Sequence, residues 1–299
     1  MKIGVIGAGA VGAACALAAT MGACASEIVL VNRDRRRAEG VATDIRYGAA
    51  LAGAVEIRDG GYGDLAGAAL VMITAGVNEK AGGAIDRGDP AGRLKLLARN
   101  VEVYGEILPR LFRVAPQAVI LVVTDPPDPL ADLVRVFGFP HVMSTGTFLD
   151  SLRFRFHLAR HLAVRVPAVE AQVLGEHGTS QVFLWSGARV AGVSVDNIPR
   201  ESVEREVRFA NIAIIEGTGA SQYGIGMVCA RIAEIVLRDE RAVIPVGAFN
   251  PAYGVTISMP SVVGRTGVER ILEPPMSAVE KQALRRSADT LRAAVERTL

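Results

Sequence analysis

Lys2-Ile3-Gly4-Val5-Ile6-Gly7-Ala8-Gly9-Ala10-Val11-Gly12 begins as a short apolar run, bends on glycine, and leads into an alanine-rich stretch ending near Met21. The run from Lys2 to Ile6 reads as a buried strand and the stretch Ala10–Met21 as a helix. Three glycines stand at or near the bend. Gly7 permits a tight turn, Gly9 lets backbone approach a pyrophosphate, and Gly12 lets helix pack closely on strand. The start of the helix then offers free N–H groups and a positive dipole end to an anion, with Ala10 and Val11 in its first turn.

Outward from this turn, apolar runs alternate with helical stretches. Glu27–Val31, Val55–Arg58, Leu70–Thr74 and Ala118–Val123 read as further strands, with helices at Arg35–Tyr47 and Arg93–Val114. Continuous apolar strands alternating with helices predict an α/β fold, a doubly wound parallel sheet covered on both faces. After about Thr145 the pattern changes. A helix at Asp150–Leu162, a strand-like run at Val169–Leu174 and helices near Val203–Ile215 and Tyr223–Leu237 follow. Then come strand-like runs at Ala242–Phe249 and Val255–Val263, and Ser277 with Glu280 forms a capping box for a last helix. The expected division is a dinucleotide-binding (Rossmann) domain over 1–144 and an α+β catalytic domain over 145–299.

The stretch from Ile3 to Ser26 carries no charge, follows Lys2 and ends on Ala23-Cys24-Ala25, so a signal or membrane segment has to be weighed. Its five glycines and its alanine-rich rather than leucine-rich composition favour strand, turn and buried helix, and no membrane partner is expected. Half of the 299 residues are hydrophobic, 21% are charged and the net charge is +2, which gives no electrostatic reason to expect nucleic acid. Cys15, Cys24 and Cys229 have no CxxC spacing and read as reduced residues of a cytoplasmic protein.

At the end of the second strand, where an acidic residue would hold ribose hydroxyls, stands Asn32, followed by Arg33 and a run of arginines. Asn bonds a hydroxyl without repelling a 2′-phosphate, and a neighbouring Arg can pair with one. The expected cofactor is NAD, with NADP tolerated. Further along, His177 lies in Gly175-Glu-His-Gly178 and Asp150 in Gly146-Thr-Phe-Leu-Asp-Ser-Leu-Arg153-Phe. A His paired with a buried carboxylate suits proton transfer, and an Arg fork suits a substrate carboxylate.

Taken together, GAGAVG, GTFLDSLRF, GEHGTS, EGTGASQYGIG and MPSVVGRTGVERILEP resemble the lactate/malate dehydrogenase family over nearly the whole chain. The resemblance implies hydride transfer between a nicotinamide cofactor and a small 2-oxo or 2-hydroxy acid. It makes His177 the general acid/base, Asp150 its partner and Arg153 the grip on the substrate carboxylate. Arg93 becomes the mobile-loop arginine that polarises the carbonyl. Thr74, Ala75 and Gly76 join the cofactor site, while Thr145 and Ser221 line the nicotinamide and substrate pocket. A homo-oligomer, dimer or tetramer, is also implied.

Three departures from the family bear on the substrate. An extra stretch, Gly83–Gly92, precedes Arg93; its glycines suit a mobile lid, and it makes Arg87 a second candidate for the polarising arginine. Glu79 stands where the family commonly sets substrate choice. A carboxylate there repels a second substrate carboxylate, making malate-type substrates poor, and can accept a hydroxyl or cationic side chain. Asp125, in Thr124-Asp-Pro126, replaces an Asn that could donate toward substrate, and Thr179 stands where the family often has Asp. Asp125 and Glu79 also support an alternative, a catalytically impaired dinucleotide-binding regulator. A hydrolase of the NAD-dependent glycosidase group would need a Cys/His metal site, and no cysteine lies near a histidine. His157 and His161 are spaced i, i+4 on one helix but lack further ligands, so no metal is expected.

Overall fold

The computed structural model describes residues 1–89 and 91–298. The glycine turn connects β1 (Lys2–Ile6) to α1 (Ala10–Met21). Next come β2 (Glu27–Val31), α2 (Arg35–Ala49), β3 (Glu56–Gly60), β4 (Ala68–Ile73), α3 (Leu97–Val114), β5 (Val119–Val122), α4 (Pro127–Phe137) and β6 (Val142–Ser144). These six strands are parallel, in the order β3-β2-β1-β4-β5-β6. Their side chains alternate between two cores. Ile3, Val5, Ile28, Leu30, Leu70 and Met72 face one layer, and Ile6, Val29, Val31, Val71 and Ile73 face the other. Each such fully buried aliphatic side chain is worth roughly 1.5–3 kcal/mol, so both faces need a helical cover, and both have one.

Strand order reverses between β1 and β4, and a crevice opens at that point beyond the carboxyl ends of the strands. The segments leaving β1, β4, β5 and β6 carry Gly7, Thr74, Asp125 and Thr145, which is how residues far apart in sequence come to one place.

The second half begins with α5 (Phe148–Leu162). It continues through five two-residue strands: β7 (Val169–Glu170), β8 (Val173–Leu174), β9 (Val182–Phe183), β10 (Arg189–Val190) and β11 (Val193–Ser194). Helices α6 (Arg200–Arg208), α7 (Ala210–Thr218) and α8 (Tyr223–Arg238) precede β12 (Ala242–Asn250), β13 (Val255–Gly264), β14 (Gly267–Ile271) and α9 (Ala278–Thr298). The last three strands are antiparallel and extend the main sheet, because β12 pairs with β6 through Gly247 and Ser144. This gives nine strands in one sheet among the described residues. The parallel sheet expected from the sequence is therefore only its first six strands.

Other expectations shift in detail. Val169–Leu174 is two short strands, since β7 pairs with β10 while β8 pairs with β9. Val203–Ile215 spans two helices because Phe209, at φ −107° and ψ 13°, leaves the helical conformation. The helix expected from Arg93 starts as a 3₁₀ turn over Gly92–Leu96, entered through Gly92 at φ +48°, and becomes α-helical at Leu97. Helix α4 is unforeseen: Pro126-Pro127 looks like a break, yet proline at a first helical position is favourable. The uncharged stretch from Ile3 resolves into β1, the turn and α1, and no helix among the described residues is long and apolar enough to cross a membrane. Ser277 and Glu280 exchange the capping-box hydrogen bonds at the start of α9.

Candidate active site

The glycine turn is shaped by contact on all sides but one. Gly7 sits at φ +109°, and a Cβ there would lie 2.7 Å from the Ala75 nitrogen. At Gly12 an added Cβ would fall 1.8 Å from the Gly7 carbonyl oxygen, so only glycine fits. Gly9 is different: a Cβ there would meet no protein atom within 4 Å. Its bareness faces outward, beside the α1 N-terminus, which no side chain caps. A glycine that nothing internal requires, next to free N–H groups, fits a pyrophosphate approaching from outside. Thr74 braces the turn by donating to the Ile6 and Gly7 carbonyls at 3.1 and 2.9 Å.

Asn32 ends β2 as expected, but its amide is already engaged. Its oxygen accepts from the Ala8 N–H at 3.0 Å and its nitrogen donates to the Asp34 carbonyl at 2.9 Å. Arg33 is exposed. Arg37, in the run of arginines that follows, points its Nε back at the turn and donates to the Ala8 carbonyl at 2.7 Å.

Beside the turn lies a cavity of about 110 Å³. Val11, Thr74, Gly76, Thr145 and Ser221 line its cofactor side, and Glu79, Arg93, Asp125, Arg153, His177 and Asn211 its opposite wall. A larger groove, about 760 Å³, lies at the far end of the β12–β14 hairpins against Arg285 and holds none of the expected site residues. The smaller cavity is the one that gathers the residues expected to carry the chemistry.

His177 is anchored at both ends. Its Nδ1 meets Asp150 Oδ2 at 2.5 Å, and its Nε2 faces into the cavity, 3.7 Å from Asp125 Oδ1. Asp150 is buried in α5, and its other oxygen accepts from Arg153 Nη1 at 3.1 Å, one helical turn on. Burial works against the Asp150 charge, but the His177 and Arg153 cations outweigh it and hold its carboxyl well below the usual range. The His177 backbone N–H donates to Asp128 Oδ2 at 2.9 Å, while Ser144 Oγ donates to Asp128 Oδ1 at 2.6 Å. Asp128 is wholly buried, and desolvation lifts its carboxyl to about 6 against the pull of those hydrogen bonds. One turn further along α4, Asp132 accepts from the backbone N–H and hydroxyl of Thr256 on β13. Two carboxylates of α4 thus fasten it to the second half of the chain.

The two candidate arginines part company. Arg93 is 8% exposed and lines the cavity. Arg87 lies outside it, half exposed, in a two-pronged pair with Glu216 of α7 at 2.6 and 2.8 Å. It is not in place to polarise a carbonyl. Within the added stretch Gly83–Gly92, Pro90 lies outside the described residues. Arg93 Nε stands 3.3 Å from Asp125 and 3.8 Å from Glu79, yet makes no hydrogen bond among the described residues. Glu79 has its carboxyl raised by burial first and by the Asp125 charge second, with Arg93 opposing.

Three asparagine and aspartate roles escape the sequence. Asn100 accepts from the Val77 N–H at 2.7 Å and donates to the Asp125 carbonyl at 2.6 Å, tying two cavity segments together. Asn211 Nδ2 reaches Glu79 Oε1 at 3.5 Å, and Asp128 holds the His177 backbone. Arg93-Leu-Lys-Leu-Leu-Ala-Arg-Asn100 contains the first of these, but only its place one helical turn inside α3 marks it. His157 pairs with Glu206 on α6 at 2.7 Å. No cluster of three or more His, Cys, Asp or Glu suited to a metal occurs among the described residues.

A doubly wound domain with a phosphate turn, opening on a buried His–Asp–Arg set, defines a dinucleotide-dependent oxidoreductase site. Comparison with known proteins gives the family. The model for the lactate/malate dehydrogenase NAD binding domain matches residues 1–140, and that for the lactate/malate dehydrogenase alpha/beta C-terminal domain matches 147–299. The chain belongs to the lactate/malate dehydrogenase family. It is 43% identical to an L-lactate dehydrogenase of Deinococcus radiodurans, over 98% of this chain and 97% of that protein. An L-lactate dehydrogenase of Thermus aquaticus is 40% identical, with 98% of each chain covered. Among solved structures, the minor L-lactate dehydrogenase of Enterococcus mundtii superposes with a TM-score of 0.91 at 31% identity, covering 100% of this chain and 98% of that one.

Proposed function

We propose that this chain is an NAD-dependent dehydrogenase of lactate type, interconverting a small 2-hydroxy acid and its 2-oxo acid. The observation that carries the reading is the His177–Asp150–Arg153 set at one wall of a cavity whose other side is the helix of the glycine turn. When bound against Gly7, Gly9, Gly12, Thr74 and Thr145, the nicotinamide supplies or takes the hydride.

The residues of the chain do the rest. Arg153 holds the substrate carboxylate, with the planar fork that this geometry needs. His177 Nε2 gives a proton to the carbonyl oxygen as it gains charge, or removes the hydroxyl proton in the reverse direction. Asp150, kept ionised, fixes the imidazole through Nδ1 and stabilises its charged form. Arg93, buried and with its Nε making no hydrogen bond among the described residues, is aimed at the developing oxyanion. Arg33, exposed beside the engaged Asn32, leaves room for a 2′-phosphate, so NADPH is expected to serve as a weaker partner than NADH.

A homo-oligomer completes the reading. Helices α1 and α8 pack side by side, Gly226 against Ala14, and present Met21, Tyr223 and Met227 to solvent. Sedimentation of the purified chain tests this.

Activity is tested by following the loss of reduced-nicotinamide absorbance with pyruvate, oxaloacetate and branched or hydroxylated 2-oxo acids. Turnover abolished by His177→Asn and sharply reduced by Arg153→Lys is expected. Cofactor binding without turnover of any acid would instead favour a non-catalytic binder.

A further inference from the structure

The cavity carries more carboxylate than the reaction uses. Asp150 is spent on His177 and Arg153, but Glu79 and Asp125 both converge on the single guanidinium of Arg93. Neither pairing is a good one. Arg93 Nε makes no hydrogen bond among the described residues, and the Asn211 amide reaches Glu79 only at 3.5 Å. The atom left without a partner here is a buried donor, the Arg93 Nε–H, which costs free energy unless a ligand supplies an acceptor. Glu79 keeps only long contacts, 3.8 Å to Arg93 and 3.5 Å to Asn211, and has room for a closer donor.

A 2-hydroxy acid has four substituents on its reacting carbon. With its carboxylate on Arg153, its oxygen between His177 and Arg93, and its hydrogen toward Val11 and Thr145, the remaining substituent meets Glu79 and Asn211. Charge points the same way. For the oxidation, with His177 in the form that takes the hydroxyl proton, Arg93, Arg153 and the oxidised nicotinamide are cations against the carboxylates of Asp150, Asp125, Glu79 and the substrate. One negative charge is left over in the cavity. A second substrate carboxylate would worsen the imbalance, a methyl would leave it, and an ammonium would cancel it.

Building on the dehydrogenase reading above, we propose that this site is selective for small 2-hydroxy and 2-oxo acids with a hydrogen-bond donor on the third carbon. An ammonium group is preferred over a hydroxyl. Glu79 accepts from that donor and Asn211 orients Glu79. Drawing Glu79 onto the substrate leaves Arg93 free to serve the reacting oxygen.

The test is a series of equal length, oxidised with NAD. L-2-hydroxybutanoate, L-glycerate and L-3-amino-2-hydroxypropanoate differ only in carrying methyl, hydroxyl or ammonium on the third carbon. L-Lactate and L-malate complete the set. kcat/KM is expected to rise from methyl to hydroxyl to ammonium, by about tenfold or more overall, as for a hydrogen bond to a charged group. L-Malate is expected to be poorest. Glu79→Gln should abolish the advantage of ammonium over hydroxyl, because a neutral amide still accepts from a donor but does not balance its charge. A methyl compound that equals or beats the other two, or a ranking unchanged in Glu79→Gln, overturns the proposal while lactate turnover keeps the dehydrogenase reading. Failure of every acid, lactate included, overturns both.

Discussion

The two sides of the cleft are built by opposite means. On the cofactor side, backbone does the work: Gly7 and Gly12 are forced by atoms 2.7 and 1.8 Å from where a Cβ would sit, Gly9 is bare, and Thr74 braces the bend from beneath. On the substrate side, side chains do it. His177, Asp150, Arg153, Arg93, Asp125 and Glu79 come from five separate segments and are held by one another's charges. A surface of N–H groups recognises what every dinucleotide shares. A cluster of paired charges can be re-tuned by one residue.

If the contrast is right, the two sides should fail differently. The largest effect belongs to the charged side: His177→Asn should lower kcat by about 10²–10⁴-fold, as expected for loss of a general acid, with the melting temperature and NADH affinity little changed. A parallel loss of NADH binding would show the two sides to be one unit. On the backbone side, Gly12→Ala should cost about 3 kcal/mol or more of stability, because its Cβ has no room. Gly9→Ala should leave stability within about 0.5 kcal/mol and raise KM for NADH alone. Equal destabilisation by both alanines in urea titrations would mean that Gly9 serves packing rather than a ligand.

Asp128 sharpens the comparison, being a buried charge that serves geometry. Its folded carboxyl lies at about 6, above the unfolded value. Its contribution to stability is therefore complete below pH ~4 and lost as pH rises through about 6, up to roughly 3 kcal/mol. Asp128→Asn keeps one acceptor for the His177 N–H, turns an amide donor toward the Ser144 hydroxyl, which can accept, and cannot titrate. Whatever the offset between the two proteins, wild type should therefore lose stability relative to this variant between pH 4 and 7. Parallel stability curves would mean that Asp128 does not titrate in this range. The smallest effect is expected at the rim. Arg87→Ala breaks an exposed pair with Glu216, and such pairs hold little. kcat should change by a few-fold at most, and less at high salt. A loss as deep as that of His177→Asn would return Arg87 to the chemistry.

The same contrast explains what can be read from the chain. The cofactor turn is local, contained in Lys2–Gly12, and each glycine has a steric reason that spacing reveals. The His177–Asp150 pair spans 27 residues and is legible only because the surrounding motifs resemble a family. Asn100, Asn211 and Asp128 act on groups 25, 132 and 49 residues away, with no local pattern to mark them. The choice between Arg87 and Arg93 depended on which one the loop folds inward, a matter of tertiary packing. The antiparallel end of the sheet is missed for a related reason: β6 is three residues long, too short for periodicity to register, and its partner β12 lies far along the chain.

That late pairing bears on how the chain is made. Until Gly247 is synthesised, roughly a hundred residues after Ser144, β6 is an open edge on an otherwise complete parallel sheet. At ribosomal speeds this lasts on the order of 5–20 s. An open edge invites pairing with a neighbouring nascent chain. The brevity of β6 keeps that invitation small, leaving too few N–H and C=O groups to seed a foreign strand but enough to guide β12 into register.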